Sequence, residues 1–213
     1  MESSERRPSG DELGLRERKK RATREALQGA ALTLAAERGL DVTVEEICAS
    51  AEVSARTFFN YFSSKEEAII GDLPKPPPDD LLEVFEGGGP TGDLLADLRA
   101  TLRPHLQASV PSLREMHQRK RILETDPDLA RRFFASFMMI EQRLTLAAAR
   151  RAGTRTTDPR AQVVGTVATA AMRLAVRRWI HSGGRASIET HVDAVFDALT
   201  DVCVDVETRN PRD

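Results

Sequence analysis

The sequence predicts an all-α protein. Across its 213 residues, apolar side chains recur three or four positions apart, which is the spacing of a helix that buries one face. No segment of consequence shows the two-residue alternation of a β-strand, and no internal repeat is visible. Cap residues and Pro or Gly stops divide the stripes into a series of separate helices.

Composition indicates a globular protein of a reducing compartment. With 40% apolar residues, 30% charged residues and a net charge of −2, the chain is unlike disordered, collagenous or membrane proteins. Its two cysteines, Cys48 and Cys203, are too few and too distant for a disulfide scaffold or a two-pair zinc site. No apolar run approaches the ~20 residues that span a bilayer, and the polar N-terminus is unlike a signal peptide. We therefore expect a cytoplasmic protein with no membrane partner.

The first helix is predicted to begin at Arg16, after a disordered tail over residues 1–15, and to end at Gly39. Its apolar stripe consists of Ala22, Ala26, Leu27, Ala31, Leu34 and Ala35. The segment from Arg16 to Arg24 holds six basic residues and one Glu, which is a net charge of +5. Such a run suits either a solvated helix face or an arm that contacts DNA phosphates. The candidate phosphate contacts in this arm are Arg16, Lys19, Lys20 and Arg21.

Two cap signals follow the first helix. Thr43 and Glu46 form a capping box, in which the hydroxyl and the carboxylate each bind an orphan backbone amide, so a second helix should begin at Val44. Ser54 can cap a third helix after a break near Glu52. Helices this short are not stable alone, so both must pack on the first helix.

A fourth helix is predicted from Lys65, behind a second capping box formed by Ser64 and Glu67. The second and third helices occupy only residues 44–62 and are joined by a tight turn, which is the plan of a helix-turn-helix unit. Other small helical bundles share some of these features. The polar face left open on the third helix, with a basic arm ahead of it, favours insertion into a DNA major groove.

The string AEVSARTFFNYFSSKE occupies residues 51–66. Together with ERG at 37–39 and TVEEI at 43–47, it resembles the DNA-binding signature of the TetR family of bacterial transcriptional regulators. The resemblance covers about residues 20–70, and its motif is an ordered string, so it is specific.

Two features of this string depart from the family pattern. Glu52 stands where the family usually has Gly in the turn, and Phe59 with Tyr61 replaces a common pair of Tyr and His. Without a hydroxyl, Phe59 lacks the phosphate contact expected of Tyr, whereas Tyr61 can supply another.

The resemblance implies a role for each residue of the signature. Base-facing positions hold Ala55, Arg56, Phe59 and Asn60. Phosphate-facing positions hold Thr43, Thr57, Tyr61 and Lys65, and Ser54 completes the set of DNA-binding candidates. Arg56 can donate two hydrogen bonds to a guanine edge and Asn60 can pair with adenine, whereas Phe59 by itself suits the protein core. Lys65 stands at a helix N-terminus, where backbone amides also attract phosphate.

Residues 72–92 have the composition of a linker, with five Pro and four Gly. They are predicted to separate a DNA-binding domain over 16–71 from a larger helical domain over 93–208. The apolar piece 81–85 can dock as a helical turn inside the linker. In the family the fourth helix commonly continues into the second domain, so this interruption is a further departure.

The larger domain is predicted to contain five helices. Their beginnings are marked by Leu94, Leu113, Asp126-Pro127, Asp158-Pro159 and Ser187. Pro104 should kink or end the first of them, and Gly183-Gly184 should end the fourth.

The resemblance implies about nine helices and a homodimer in which the last two helices form a four-helix bundle with those of a second subunit. Small residues near these helices would let helices approach closely, although they also suit an ordinary core. They are Gly165, Ala168, Ala171 and Ala175.

The resemblance also implies an effector cavity in the larger domain. Residues 133–139 concentrate three of the eight Phe and two of the five Met, and such side chains line adaptable cavities or fill cores. The candidate ligand-binding residues are Met116, His117, Phe133, Phe137, Met138, Met172 and Trp179.

No enzymatic constellation is visible in the sequence. It has no Gly-rich phosphate loop, paired Cys motif or nucleophile elbow, and its four His lack metal-ligand spacing. We predict no catalytic residue, metal or cofactor. The leading hypothesis is a ligand-responsive regulator, most simply a repressor that binds a palindromic double-stranded operator as a dimer and is released by a small apolar or amphipathic effector. The alternative is a helical protein-interaction module without operator specificity, which would have no need of the basic arm.

Overall fold

The computed structural model describes residues 10–209, with side chains described from 14 to 204. This part of the chain contains ten helices and no strand, which confirms the predicted all-α class. The helices are α1 (Gly10–Arg38), α2 (Val44–Ser50), α3 (Ala55–Phe59), α4 (Lys65–Ile70), α5 (Asp79–Glu86), α6 (Leu94–Ser109), α7 (Leu113–Thr125), α8 (Pro127–Ala152), α9 (Pro159–His181) and α10 (Ile188–Arg209). Among the described helices, none is long and apolar enough to cross a membrane.

The chain divides into two units. The first holds the residues up to Asp72 together with Gln118–Leu129, and the second holds Leu73–His117 together with the residues from Ala130 onward. The boundary therefore falls inside α7 and again inside α8, as well as at the end of the predicted DNA-binding domain. The predicted larger domain over 93–208 includes Gln118–Leu129, which this division groups with the first unit.

Two hydrogen bonds attach the second half of α7 to the first unit. Gln118 Nε2 donates to the Thr33 hydroxyl at 3.3 Å, and Arg119 Nη1 donates to the Asp72 carbonyl at 2.8 Å. Both partners lie in the N-terminal part of the chain, which periodicity along α7 alone does not reveal.

The first helix begins earlier than predicted. Residues 10–15 were expected in the disordered tail but lie in α1, whereas residues 1–9 of that predicted tail lie outside the described residues. The buried apolar residues of α1 are Leu27, Ala31, Leu32, Ala35 and Ala36. Ala22 and Ala26, the first two residues of the predicted stripe, are exposed. The helices that pack on α1 within the first unit, α2 and α4, thus cover its second half.

The predicted linker contains a docked helix. In α5, Leu82 and Phe85 are fully buried and belong to the core of the second unit, where α5 packs on α6. The expected helical turn at 81–85 is therefore present, but the segment is part of the fold and does not act as a free linker. Pro104 does not end α6, which continues to Ser109 because buried Leu102 and Leu106 hold it on both sides of the proline.

The small residues of α9 are used for packing inside the chain. A Cβ on Gly165 would lie 2.1 Å from the Thr145 hydroxyl and 2.9 Å from the Glu141 carbonyl, so only glycine lets α9 approach α8 this closely. The other small residues, Ala168, Ala171 and Ala175, are buried in the core of the second unit. Their position supports the ordinary-core interpretation and gives no support for a dimer.

A buried ion pair joins the start of α6 to the end of α8 and holds the loop that precedes α6. The Asp97 carboxylate is fully buried and accepts from Arg151 Nη2 at 2.7 Å, from the backbone amide and hydroxyl of Thr91 at 2.7 Å each, and from the Gly92 amide at 3.2 Å. Arg151 also donates to the Phe85 carbonyl at 2.9 Å, and its guanidinium lies 4.9 Å from the Phe85 ring centroid. These contacts order the Gly-rich segment that composition alone assigns to a linker.

Burial raises the pKa of the Asp97 carboxyl, but hydrogen bonds from Thr91 and Arg151 outweigh burial and hold that pKa below its ordinary value. A lowered folded-state pKa means that the ion pair stabilises the fold above the pKa of the unfolded carboxyl, near 4. This contribution is lost as the pH falls through the folded-state pKa.

Asp97→Asn should lower the free energy of unfolding at pH 7 by about 3 kcal/mol, because it leaves the Arg151 guanidinium, 12% exposed, without its counter-ion. Asp197→Asn is the matched control, since Asp197 pairs with Arg99 at an exposed site, and it should cost less than ~1 kcal/mol. Urea denaturation measures both. The Asp97→Asn deficit should persist from pH 8 to 5 and shrink below about pH 4; an equal cost for the two variants would contradict the structural role of the pair.

Candidate nucleic-acid interface

The turn between α2 and α3 is closed by a left-handed residue. The Val53 amide donates to the Cys48 carbonyl at 3.0 Å and the Glu52 amide to the Ala49 carbonyl at 3.3 Å, the two bonds of a Schellman motif. Glu52 occupies the left-handed position with φ 55°, which a glycine adopts without steric cost. The break predicted near Glu52 is confirmed, and the departure from glycine falls at the one strained residue of the turn.

The short helix α3 is held at both ends. At its start the Ser54 hydroxyl accepts from the Thr57 amide at 3.1 Å, as its predicted cap role requires. At its end Phe58 and Phe62 are buried, with ring centroids 5.6 Å apart. Because α3 has only five residues, its position is set by these contacts and not by its own helical stability.

The opposite face of α3 is open to solvent. Its exposed residues are Ala55, Arg56, Phe59 and Asn60, the four that the resemblance places toward bases. Phe59 is 58% exposed, so the expectation that it belongs to the core is wrong. Phe58, its neighbour along the chain, takes the buried position, and the Phe59 ring rests edge-on against the Phe58 ring with centroids 5.3 Å apart.

The candidate phosphate contacts lie around α3. Thr43 is exposed and caps α2, while Thr57 and Tyr61 are half-buried. The Lys65 ammonium donates to the Leu40 carbonyl at 2.7 Å, so one of its three donors is already used within the protein.

The helix caps next to this surface are charged and ordered. The capping box of Thr43 and Glu46 is confirmed, and the hydrogen bond from the Thr43 backbone amide is the main cause that lowers the pKa of the Glu46 carboxyl. The second box differs from prediction: Ser64 accepts from the Glu67 amide at 3.2 Å, but the Glu67 carboxylate binds the amide and hydroxyl of Ser63 at 2.7 Å each. The hydrogen bond from the Ser63 hydroxyl is the first cause that lowers the pKa of Glu67.

The basic arm is not uniform. Residues from Arg16 to Arg21 are exposed along α1, and Arg21 pairs with Glu25 at 3.4 Å one turn away. Arg24 is different, because it contacts the end of the α3 segment. It lies three residues before Leu27 and seven before Ala31, a helical spacing that indicates that it shares their buried face.

The candidate effector residues divide into two groups in the second unit. Met172 is buried in the core, Phe137 and Trp179 pack against that core, and the Phe133 and Phe137 rings touch with centroids 5.7 Å apart. Met116 is half-buried. His117 is exposed and Met138 is 65% exposed, so neither side chain is enclosed as the side chain of an internal-cavity residue would be.

Comparison with known proteins matches both halves of the chain. Residues 29–69 match the family described as bacterial regulatory proteins, tetR family, and residues 93–203, just over half of the chain, match the MftR C-terminal domain. The chain belongs to the TetR family. The matched family is one of regulatory proteins, and α2, the turn and α3, which form the helix-turn-helix unit, all lie within the first matched segment.

Two known proteins illustrate the match. The HTH-type transcriptional regulator TcmR of Streptomyces glaucescens is 48% identical over 58 residues, which are 27% of this chain and 26% of that protein. The chain thus matches about a quarter of the length of this relative. The solved structure of a Mesorhizobium loti protein assigned to the TetR regulators is 16% identical, with a TM-score of 0.50, and the match covers 86% of this chain and 97% of the other. At that identity the likeness concerns the fold.

Glu52→Gly should raise the free energy of unfolding by about 0.5–1 kcal/mol, because relief of left-handed strain exceeds the entropy that glycine adds to the unfolded chain. The matched control is Glu45→Gly, the same exchange at an exposed position inside α2, which should cost about 1 kcal/mol. Thermal unfolding of both variants measures the difference. A loss of stability for Glu52→Gly equal to that for Glu45→Gly would show that the turn carries no strain.

Proposed function

We propose that this TetR-family regulator is a ligand-responsive repressor. A homodimer would bind a palindromic operator through two copies of α3, and a small apolar or amphipathic effector bound in the second unit would release it. The proposal is carried mainly by one observation: the five-residue helix α3 presents a solvent-exposed polar and aromatic face while its other face is anchored by buried rings.

The chemistry of that face fits the edges of base pairs. From the second position of α3, Arg56 can donate two hydrogen bonds to the O6 and N7 atoms of guanine, and Asn60 can pair with adenine. The Phe59 ring is exposed on the same face and suits apolar contact with the methyl group of thymine. Arg16, Lys19 and the other exposed arm residues would add phosphate contacts that position the protein without selecting sequence.

The homodimer is proposed through α9 and α10. Both helices expose large apolar side chains on the isolated chain, and these are Val163, Leu174, Val202 and Val204. Because exposed apolar side chains of this size favour burial in an interface, they are better support for a dimer than the small residues buried inside the chain. A two-fold dimer requires half-sites about one helical turn apart or a multiple of that spacing, and hence a palindromic operator.

The effector is proposed to bind beside the core of the second unit. Phe137, Met172 and Trp179 combine rigid rings with a flexible thioether there, a composition that accommodates an apolar ligand, and Arg173 places its guanidinium 5.2 Å from the Phe137 ring centroid. The cation at the edge of an apolar site suits an amphipathic ligand. Such a ligand releases the operator only if it binds the DNA-incompetent conformation more tightly than the competent one.

The alternative, an interaction module without operator specificity, makes a different prediction about DNA. Any binding of such a module to a duplex would come only from the charge of the arm, so its affinity would depend on salt and not on sequence. A gel-shift assay with the DNA that flanks its own gene, competed by a scrambled duplex of equal length, distinguishes the two functions.

Within that assay, Arg56→Ala should cost about 1–3 kcal/mol on the preferred duplex and much less on the scrambled one, because the lost contact is to a base edge. Lys19→Ala is the control for a phosphate contact. It should weaken both duplexes alike and reduce the slope of log affinity against log salt by about one. Equal losses on both duplexes for Arg56→Ala would remove its base-reading role, and absence of any preferred duplex would overturn the proposed function.

Phe59 offers a test at the level of one methyl group. Replacing thymine by uracil, one position at a time, removes only that methyl, and at the contacted position it should weaken binding of the unaltered protein several-fold. The Phe59→Ala variant should bind the thymine and uracil duplexes equally at that position. Phe134→Ala, which removes a similarly exposed ring from the second unit, is the matched control and should keep full sensitivity. If no thymine position shows this dependence on Phe59, the ring has another role.

A further inference from the structure

Arg24 is enclosed in a way that its basic-arm neighbours are not. Its side chain is 33% exposed, and three groups of the first unit surround the guanidinium. Nη1 donates to the Tyr61 carbonyl at 3.2 Å, Nη2 binds Asp72 Oδ1 at 3.2 Å, and the guanidinium carbon lies 4.6 Å from the centroid of the Phe62 ring. The Glu67 carboxylate is close enough for Arg24 to lower its pKa.

This environment leaves little of the Arg24 charge for DNA. The guanidinium is paired with the Asp72 carboxylate and also donates to the Tyr61 carbonyl, so its charge and its donors are already engaged within the protein. Arginine can satisfy a carbonyl, a carboxylate and an aromatic face together because its donors form a planar fork, which the single ammonium of lysine does not provide.

The contacts of Arg24 all act on the chain that leaves the recognition helix. Tyr61 and Phe62 follow the C-cap residue of α3, Asn60, and their amides donate to the Phe58 carbonyl at 2.9 Å and 3.0 Å. A chain of rings, Phe62 to Phe58 at 5.6 Å and Phe58 to Phe59 at 5.3 Å, then connects the guanidinium on α1 to the exposed face of α3. Displacement of Arg24 would therefore displace the base-facing residues.

Asp72 extends the same set of contacts to α7. Its carboxylate accepts from Arg24, and its backbone carbonyl accepts from Arg119 Nη1 at 2.8 Å. Asp72, which follows α4, therefore contacts α1 through Arg24 and the second half of α7 through Arg119.

We propose that Arg24 is a positioning residue for sequence recognition and not a phosphate contact: its guanidinium, held by Asp72, orients the end of α3 through the Tyr61 carbonyl and the Phe62 ring. This inference rests on the proposed operator binding and adds a residue that the DNA-facing surface does not contain.

Arg24→Lys is the decisive variant, because it keeps the positive charge and removes the fork. The probes are the tightest duplex recovered by the unaltered protein from a random-sequence library and a scrambled duplex of equal length. For Arg24→Lys the ratio of the two affinities should fall about tenfold, with binding to the scrambled duplex within about twofold of the unaltered protein. Arg38→Lys, the same exchange elsewhere on α1, should leave the ratio unchanged.

A second variant covers the case in which Arg24→Lys does not fold. Asp72→Asn weakens one partner of Arg24 at an exposed site and should lower the ratio in the same direction by a smaller factor. Thermal unfolding confirms that each variant is folded at the assay temperature. The inference is overturned if Arg24→Lys folds and keeps the full affinity ratio. If Arg24→Lys does not fold, the inference is overturned when folded Asp72→Asn keeps the full ratio.

Failure of the underlying function is distinguishable from failure of this inference. An unaltered protein that recovers no preferred duplex from the library contradicts operator binding itself. A preferred duplex whose ratio is insensitive to Arg24→Lys contradicts only the positioning role.

Discussion

Burial of Phe58 and Phe62 is the interaction on which the DNA-binding surface depends. A helix of five residues has too few hydrogen bonds to offset the cost of nucleation, so α3 exists because its rings are removed from water. Each fully buried Phe is worth roughly 1.5–3 kcal/mol, more than the ~1 kcal/mol of the Ser54 cap. Packing therefore sets the position of the helix, and the cap sets where it begins.

The same arrangement explains the exposed face of α3. Two consecutive phenylalanines on one helical turn cannot both point inward, so burial of Phe58 turns Phe59 toward solvent. An exposed aromatic side chain lowers the solubility of a protein unless a partner covers it, and a groove of DNA is such a partner. The buried side chain and the side chain proposed to contact DNA are therefore adjacent in sequence and point in different directions.

The second unit shows how a segment of loop composition becomes ordered. The glycines and prolines of residues 72–92 predict a linker. In the structure, however, Leu82 and Phe85 of this segment are buried in the core, and the buried Asp97 carboxylate accepts hydrogen bonds from the amides of the loop after α5. Removal of a carboxylate from water is costly, and the four donors around Asp97 offset that cost only in this one arrangement. The fold of this segment is thus specified by contacts that are distant along the chain.

Local signals in the sequence predicted the fold class, the helix-turn-helix unit and the helix starts that a cap residue marks, although α1 begins before the predicted Arg16. Thr43, Ser54 and Asp158 cap the helices expected of them, because capping depends on residues three or fewer positions away. Periodicity did not reveal the Asp97–Arg151 pair, whose members are 54 residues apart. It also did not distinguish Phe59 from Phe58, nor Arg24 from the rest of the arm, because each distinction depends on which neighbouring helix covers the side chain.

Amide hydrogen exchange in the DNA-free protein tests most directly whether packing holds the recognition helix in place. The amides of Tyr61 and Phe62, which donate to the Phe58 carbonyl, should exchange with an opening free energy close to that of the buried part of α1 around Ala31. That result would show that α3 opens only when the surrounding unit unfolds. Exchange of these two amides many orders of magnitude faster than at Ala31, as in a fraying turn, would contradict it.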